Sequence, residues 1–302
     1  MNTCGNNDLV DKKYSDAYAY YATYENEKWN SVYSWDLGCT HFVSLNSNTD
    51  FTYVEGTGTI GGYATTDDFL KAQCTWLDEH LTEVANRPKK PKWVIAYMHL
   101  SPFTVVREKR LQRFVAVFEK HKVDLVLCGH NHTYSRSKAL KTGFDYEKNP
   151  IYNTYLKTGT TGIKLVEEFQ GDGKTPINRN EDIRDGVVYL MCQATGYKLT
   201  GKEKPISLIG TEASGTEHDN GKNQPWWYVK GQTPTQPSYI MVDINEERID
   251  IKSYQINNIL EKDTNSNVTV HPYYPTSKDG KKAQEKEMFD SLVINYSERN
   301  KA

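Results

Sequence analysis

Apolar positions recur at helical spacing from Asp67 to Ala85, where Phe69, Leu70, Cys74, Leu77, Leu81 and Val84 fall on one stripe and Arg87-Pro88-Lys89-Lys90-Pro91 closes the segment. Trp93 to Met98 (WVIAYM) is then a short continuous apolar run, which suits a strand covered on both faces. Residues 107–121 return to helical spacing with Leu111, Phe114, Val115 and Phe118 on one side, and Val123 to Cys128 (VDLVLC) is a second buried strand. Upstream, residues 33–46 predict two β segments that turn at Gly38, the second running from His41 to Leu45. Strand, helix, strand, helix, strand is the order of an α/β layered fold.

Beyond about residue 137 the pattern becomes polar, rich in glycine and lysine, with insertions over about 138–185 and 200–237. Between them Gly186 to Ala194 reads as a strand. Ser238 to Ile244 and Arg248 to Ile256 alternate apolar with polar residues across Asn245-Glu246-Glu247, the signature of a half-exposed antiparallel hairpin. Phe289 to Tyr296 adds a last strand. The final third therefore reads as a sheet edge with insertions, and no repeat of fixed period divides the chain. One domain over residues 1–302 is expected.

Composition changes this picture little. The 302 residues are 37% hydrophobic and 25% charged with 21 tyrosines, a globular composition. A formal charge of -2 gives no electrostatic reason to expect nucleic acid as a partner. Five scattered cysteines, at positions 4, 39, 74, 128 and 192, form neither a CxxC pair nor a dense disulfide framework. No apolar run reaches the roughly 18 residues that a membrane-spanning helix needs. The first residues lack the basic and apolar regions of a signal peptide, so localisation stays open.

Chemistry concentrates in Cys128-Gly129-His130-Asn131-His132-Thr133-Tyr134-Ser135-Arg136, which puts two histidines one residue apart just after a buried strand. Neutral imidazole is a good ligand for zinc, iron and manganese, and the preceding glycine is expected to let the backbone turn and aim both rings inward. An isolated H-x-H is more often a pair of hydrogen-bonded loop residues. Position argues otherwise here, because His99 ends the other buried strand. Two neighbouring strands thus finish in histidine at one sheet edge, and in open α/β sheets sites lie at the carboxyl ends of strands.

The GH-N-HTYSR segment resembles the GHxHxYxR segment of purple acid phosphatases, within the calcineurin-like metallophosphoesterases. WVIAYMH is similar to their strand ending in a metal-binding histidine, YSWDLGCTHFVSLNS to their YSFDYGxxHFVxL segment, and QCTWLDEHL to their QxxWLxxxL helix. The likeness runs in order over roughly residues 4–137. It implies an α/β (α+β) fold, a four-layer β-sandwich flanked by helices, and hydrolysis of phosphate monoesters at a dinuclear centre of iron with zinc, manganese or a second iron. Small phosphate esters would be the partners.

Five metal-binding blocks mark that family. Gly5-Asn6-Asn7-Asp8 sits at the place of the third, so the resemblance implies Asn6, His99 and His130 as ligands of one metal and His132 of the other, with Tyr134 and Arg136 supporting the histidine loop. Asn7 stands where the family has a histidine that contacts the phosphate. An amide donates a hydrogen bond but does not shuttle a proton near neutral pH, which implies reduced or narrowed activity. The first two blocks, an early aspartate and a GD with tyrosine, should precede Gly5, so the chain is expected to begin inside the site with its first strands missing and to bind metal weakly alone.

Two other functions compete: a degenerate, non-catalytic relative acting as a binding module, and a mononuclear zinc hydrolase using only the three histidines, which would lack an assigned general base. Asp36, His41, Glu119 and Asp124 read as capping, packing or solvated groups. Trp226-Trp227-Tyr228 reads as a local mini-core in preference to a stacking platform. Asn267-Val268-Thr269 and Asn295-Tyr296-Ser297 match the glycosylation pattern.

Overall fold

The computed structural model describes residues 32–47, 66–102, 111–130, 134–137, 139–142, 186–191, 236–257 and 286–296, with short strand segments at 9–10, 13–14, 163–167, 177–178, 228–232, 260–262 and 268–270. The apolar runs become the centre of a seven-stranded sheet. Its strands in chain order are β1 (Tyr33–Leu37), β2 (Thr40–Ser44), β3 (Trp93–Tyr97), β4 (Leu125–Cys128), β5 (Tyr134–Ser137), β6 (Val188–Met191) and β7 (Tyr228–Gln232). In space the order is β7-β5-β6-β4-β3-β2-β1. Neighbours β2, β3, β4 and β6 run parallel, with Ser44 opposite Tyr97, Tyr97 opposite Leu127 and Met191 opposite Cys128. That register aligns their carboxyl ends, the edge at which sites lie in open α/β sheets.

Two helices cover one face: α1 (Thr66–Asn86) and α2 (Gln112–Lys120). Leu70, Cys74, Leu77 and Leu81 of α1 pack with Phe114, Val117 and Phe118 of α2 and with Val43, Ala96 and Val126 of the sheet. Truncating one such side chain, Leu77→Ala for instance, costs about 2–5 kcal/mol. Arg113, almost wholly buried, donates to the Asp67 carbonyl at 3.0 Å and to its carboxylate, which locks the starts of the two helices together. At the other end Asp78 accepts Lys120 Nζ at 2.6 Å and His121 Nε2 at 2.6 Å.

The second face meets another sheet. The strands β8 (Ser238–Ile244), β9 (Arg248–Ile256) and β10 (Lys286–Asn295) join the short strand Ile177–Asn178 in a four-stranded sheet. Trp93, Ile95, Leu125 and Leu190 of the large sheet pack against Ile249, Ile251, Leu292 and Ile294 of the small one. Trp93 Nε1 donates to the Asn245 carbonyl at 2.6 Å, which seats the hairpin turn under the amino end of β3. The expected mixed α/β sandwich with flanking helices is borne out. The hairpin, however, belongs to this separate sheet and is not an edge of the first, because its alternating apolar face finds the sandwich side of the large sheet.

Two further differences are local. Tyr134–Ser137, to which the sequence pattern assigned no element, is a fully buried strand, and the insertion over 138–185 contains the strands Ala139–Thr142 and Ile163–Glu167. Residues 107–110 of the expected helix, and Trp226 and Trp227, lie outside the described residues. Among the described residues no helix is long and apolar enough to cross a membrane.

Candidate metal centre

His99 lies two residues beyond the end of β3 and His130 two residues beyond the end of β4, so adjacent parallel strands deliver both rings to one place. His130 Nδ1 and His99 Nε2 are 3.2 Å apart, and the rings meet edge to face with centroids at 5.1 Å. His99 is half-buried and His130 exposed, as a pair rooted in a sheet and open to a cleft would be. Two imidazole nitrogens sharing one cation at a metal–nitrogen distance of about 2.0 Å stand roughly 3.3 Å apart at tetrahedral angles. The pair therefore fits a shared cation.

The turn that presents His130 is not made by the glycine. His130 itself has φ 77°, in the left-handed region that non-glycine residues avoid, whereas Gly129 holds the strands together by donating its N–H to the His99 carbonyl at 2.8 Å. A Cβ at Gly129 would lie 3.6 Å from His99 Nδ1, an ordinary contact. The strain thus sits on the candidate ligand, where backbone strain commonly accompanies function.

A supporting layer comes from residues to which the sequence pattern assigned no role. Gln73, on the buried stripe of α1, exchanges two hydrogen bonds with the Asn46 backbone, accepting its N–H at 2.9 Å and donating to its carbonyl at 2.9 Å. Ser47 Oγ accepts the Leu100 N–H at 2.7 Å. Together they tie the exit of β2 to α1 and to the segment just after His99. A glutamine among Phe69, Leu70, Cys74 and Leu77 was the available signal, since a buried amide must find partners.

Tyr134 and Arg136 meet at Asp290 of β10. The Arg136 guanidinium grips the Asp290 carboxylate with Nε at 2.8 Å and Nη2 at 3.0 Å, and the Tyr134 hydroxyl donates to it at 2.5 Å. Arg136 is 1% and Asp290 3% exposed, so the cluster is a dry clamp between the two sheets. Burial raises the Tyr134 hydroxyl well above its usual range, and the neighbouring carboxylate adds to this, so it stays a proton donor.

Asn6, Asn7 and His132 lie outside the described residues. Among the described residues no group of three or more His, Cys, Asp or Glu side chains is gathered as a metal site. Of the weaker candidates, Asp124 accepts the Val94 N–H at 2.7 Å, which suits its packing role, and His41 is nearly sealed against Asp36.

Residues 3–134 match the calcineurin-like phosphoesterase family, a stretch that contains Asn6, Asn7, His99, His130 and His132. Purple acid phosphatase 23 of Arabidopsis thaliana is 28% identical over 158 residues, covering 50% of this chain and 30% of that protein. Probable inactive purple acid phosphatase 9 of the same plant is 29% identical over 205 residues, covering 63% and 28%. An acid phosphatase of Aspergillus ficuum is 25% identical over 189 residues, covering 52% and 30%. The matched stretch thus spans less than a third of each relative's length. Among solved structures, the purple acid phosphatase PPD1 of yellow lupin aligns with 91% of this chain and 34% of its own at a TM-score of 0.44 and 14% identity. The resemblance drawn from the histidine segments is borne out.

Proposed function

With residues 3–134 matching the calcineurin-like phosphoesterases, we propose that the cleft at the carboxyl ends of β3 and β4 is part of a dinuclear metal centre that hydrolyses small phosphate monoesters. The observation that carries this reading is the 3.2 Å approach of His130 Nδ1 to His99 Nε2 at the ends of adjacent parallel strands. His99, His130 and Asn6 would hold one cation and His132 would contribute to the second, with iron beside zinc, manganese or a second iron as the pair. When bound, such ions neutralise phosphate charge and acidify a water.

The chain's own residues supply the rest. Gly129 donates to the carbonyl and Ser47 accepts from the N–H of the His99–Leu100 peptide, so the backbone that carries the His99 ring is held before any ligand arrives. Asn7 would orient the phosphate through its amide without moving a proton, leaving leaving-group protonation to solvent. Esters with good leaving groups should therefore be favoured.

The second reading, a non-catalytic relative that binds a ligand, is favoured by Asn7 standing at the histidine position. It is also favoured by the likeness to a plant protein named probably inactive. Metal-loaded chain assayed against chromogenic and alkyl phosphate monoesters, beside the Asn7→His variant, separates the two. The first reading expects hydrolysis of the chromogenic ester and a gain on the alkyl ester in Asn7→His of about 10²-fold or more, the range of general acid catalysis. Metal retention with no hydrolysis by either protein would establish the second.

A further inference from the structure

A second pair of histidines meets at the other end of the parallel strands. His41 of β2, on the helix-facing side and 1% exposed, points its Nε2 at Nε2 of His80 on α1, 3.0 Å away. Ser34 Oγ of β1 lies 2.8 Å from the same His80 nitrogen. A nitrogen of β2 and an oxygen of β1 therefore both lie within 3.0 Å of the same imidazole nitrogen of α1.

Each ring is fixed from behind. His41 Nδ1 donates to Asp36 Oδ1 at 2.7 Å, which leaves the His41 Nε2 lone pair aimed inward. This is the carboxylate–imidazole arrangement that orients histidine ligands in metal sites. His80 stacks on Trp76 with ring centroids at 5.0 Å and planes 5° apart. Arg87 takes the far Asp36 oxygen at 3.0 Å and Glu83 at 3.3 Å, so the surroundings keep one acid in excess.

We propose that His41, His80 and Ser34 form a binding site for a divalent cation of the zinc, copper or nickel class, separate from the His99–His130 cleft. The 3.0 Å nitrogen separation is close to the roughly 3.3 Å of two imidazoles on one tetrahedral cation. Both imidazoles are ready as neutral ligands: burial holds His41 below its usual range and lowers His80 to about 4. Without a cation, one proton on His80 Nε2 bridges the two rings. With one bound, that proton leaves for solvent or moves to Nδ1, and both lone pairs and the serine oxygen face the ion. Hard cations such as magnesium gain little from two imidazoles, so the site discriminates against them.

The site rests on none of the cleft residues, and the test uses that independence. The full chain carrying His99→Ala, His130→Ala and His132→Ala is stripped with a chelator, checked for folding by circular dichroism and dialysed against zinc. One zinc per chain is expected to remain. Adding His80→Phe, which keeps the stack on Trp76, should abolish it, and Asp36→Asn should weaken it by about 10–100-fold, the usual effect of losing such a partner. Cobalt bound in place of zinc should give the visible absorption of a tetrahedral site. A folded triple variant that retains no zinc, or zinc retained equally after His80→Phe, would show that the histidines only share a proton.

Discussion

Replacing Asp290 by alanine should destabilise the protein by about 3–5 kcal/mol, the cost of leaving one partner of a buried ion pair uncompensated. The magnitude follows from the clamp itself: the carboxylate accepts Arg136 Nε, Arg136 Nη2 and the Tyr134 hydroxyl, and both charged side chains are at most 3% exposed. In Asp290→Ala the guanidinium stays inside the sandwich with no anion. Such a loss is a large part of a total stability of about 5–15 kcal/mol. Urea unfolding followed by tryptophan fluorescence reads it directly, as a lower midpoint with an unchanged slope. The triple variant Asp290→Leu with Arg136→Met and Tyr134→Phe should recover most of the loss, because an apolar cluster of similar volume avoids the desolvation that the ion pair must offset and strands no hydroxyl. A loss under about 1 kcal/mol in Asp290→Ala, or a triple variant as unstable as the sum of the singles, would refute the reasoning.

Two further outcomes follow from single groups. Acidification should weaken the metal-free fold in two stages: His41, His80 and His121 all have folded-state values pressed below the unfolded one, mainly by burial, so the stability they contribute is present above about 6.5 and drains away as pH falls, for His80 down to about 4. Burial pushes Asp78 up but the Lys120 and His121 hydrogen bonds overcome it, so its contribution is lost later, below its ordinary value. Urea midpoints measured in chelator from pH 7 to pH 3 should fall throughout, and a flat profile would contradict the directions. His130→Gly should relieve the left-handed strain and raise stability by up to about 1 kcal/mol while metal affinity at the cleft falls. Lower stability in that variant would mean that His130 serves the fold.

The parts legible in the sequence were those carried by local periodicity. The stripe of α1, the run of β3 and the alternation of β8 and β9 each state which faces they bury, and two strands ending in histidine announced the cleft because the register of parallel strands aligns their ends. What escaped depends on partners far along the chain. Arg136 and Asp290 are separated by 154 residues and His41 and His80 by 39, and no periodicity links them. The role of Gln73, which opens the QCTWLDEHL segment, was hidden for another reason: its spacing fits an apolar stripe, and only the exit of β2 shows why an amide belongs there. The glycine before His130 misled in a third way, since the left-handed residue is the histidine one step on.

The central claim, that His99 and His130 hold metal for phosphoester hydrolysis, is tested most directly by measuring metal content and chromogenic phosphate hydrolysis together in the full chain and in His99→Ala and His130→Ala. The account predicts that each substitution lowers metal content and activity in step while the circular dichroism spectrum is unchanged. Metal content and activity that stay at the parent's level in both folded variants would contradict it.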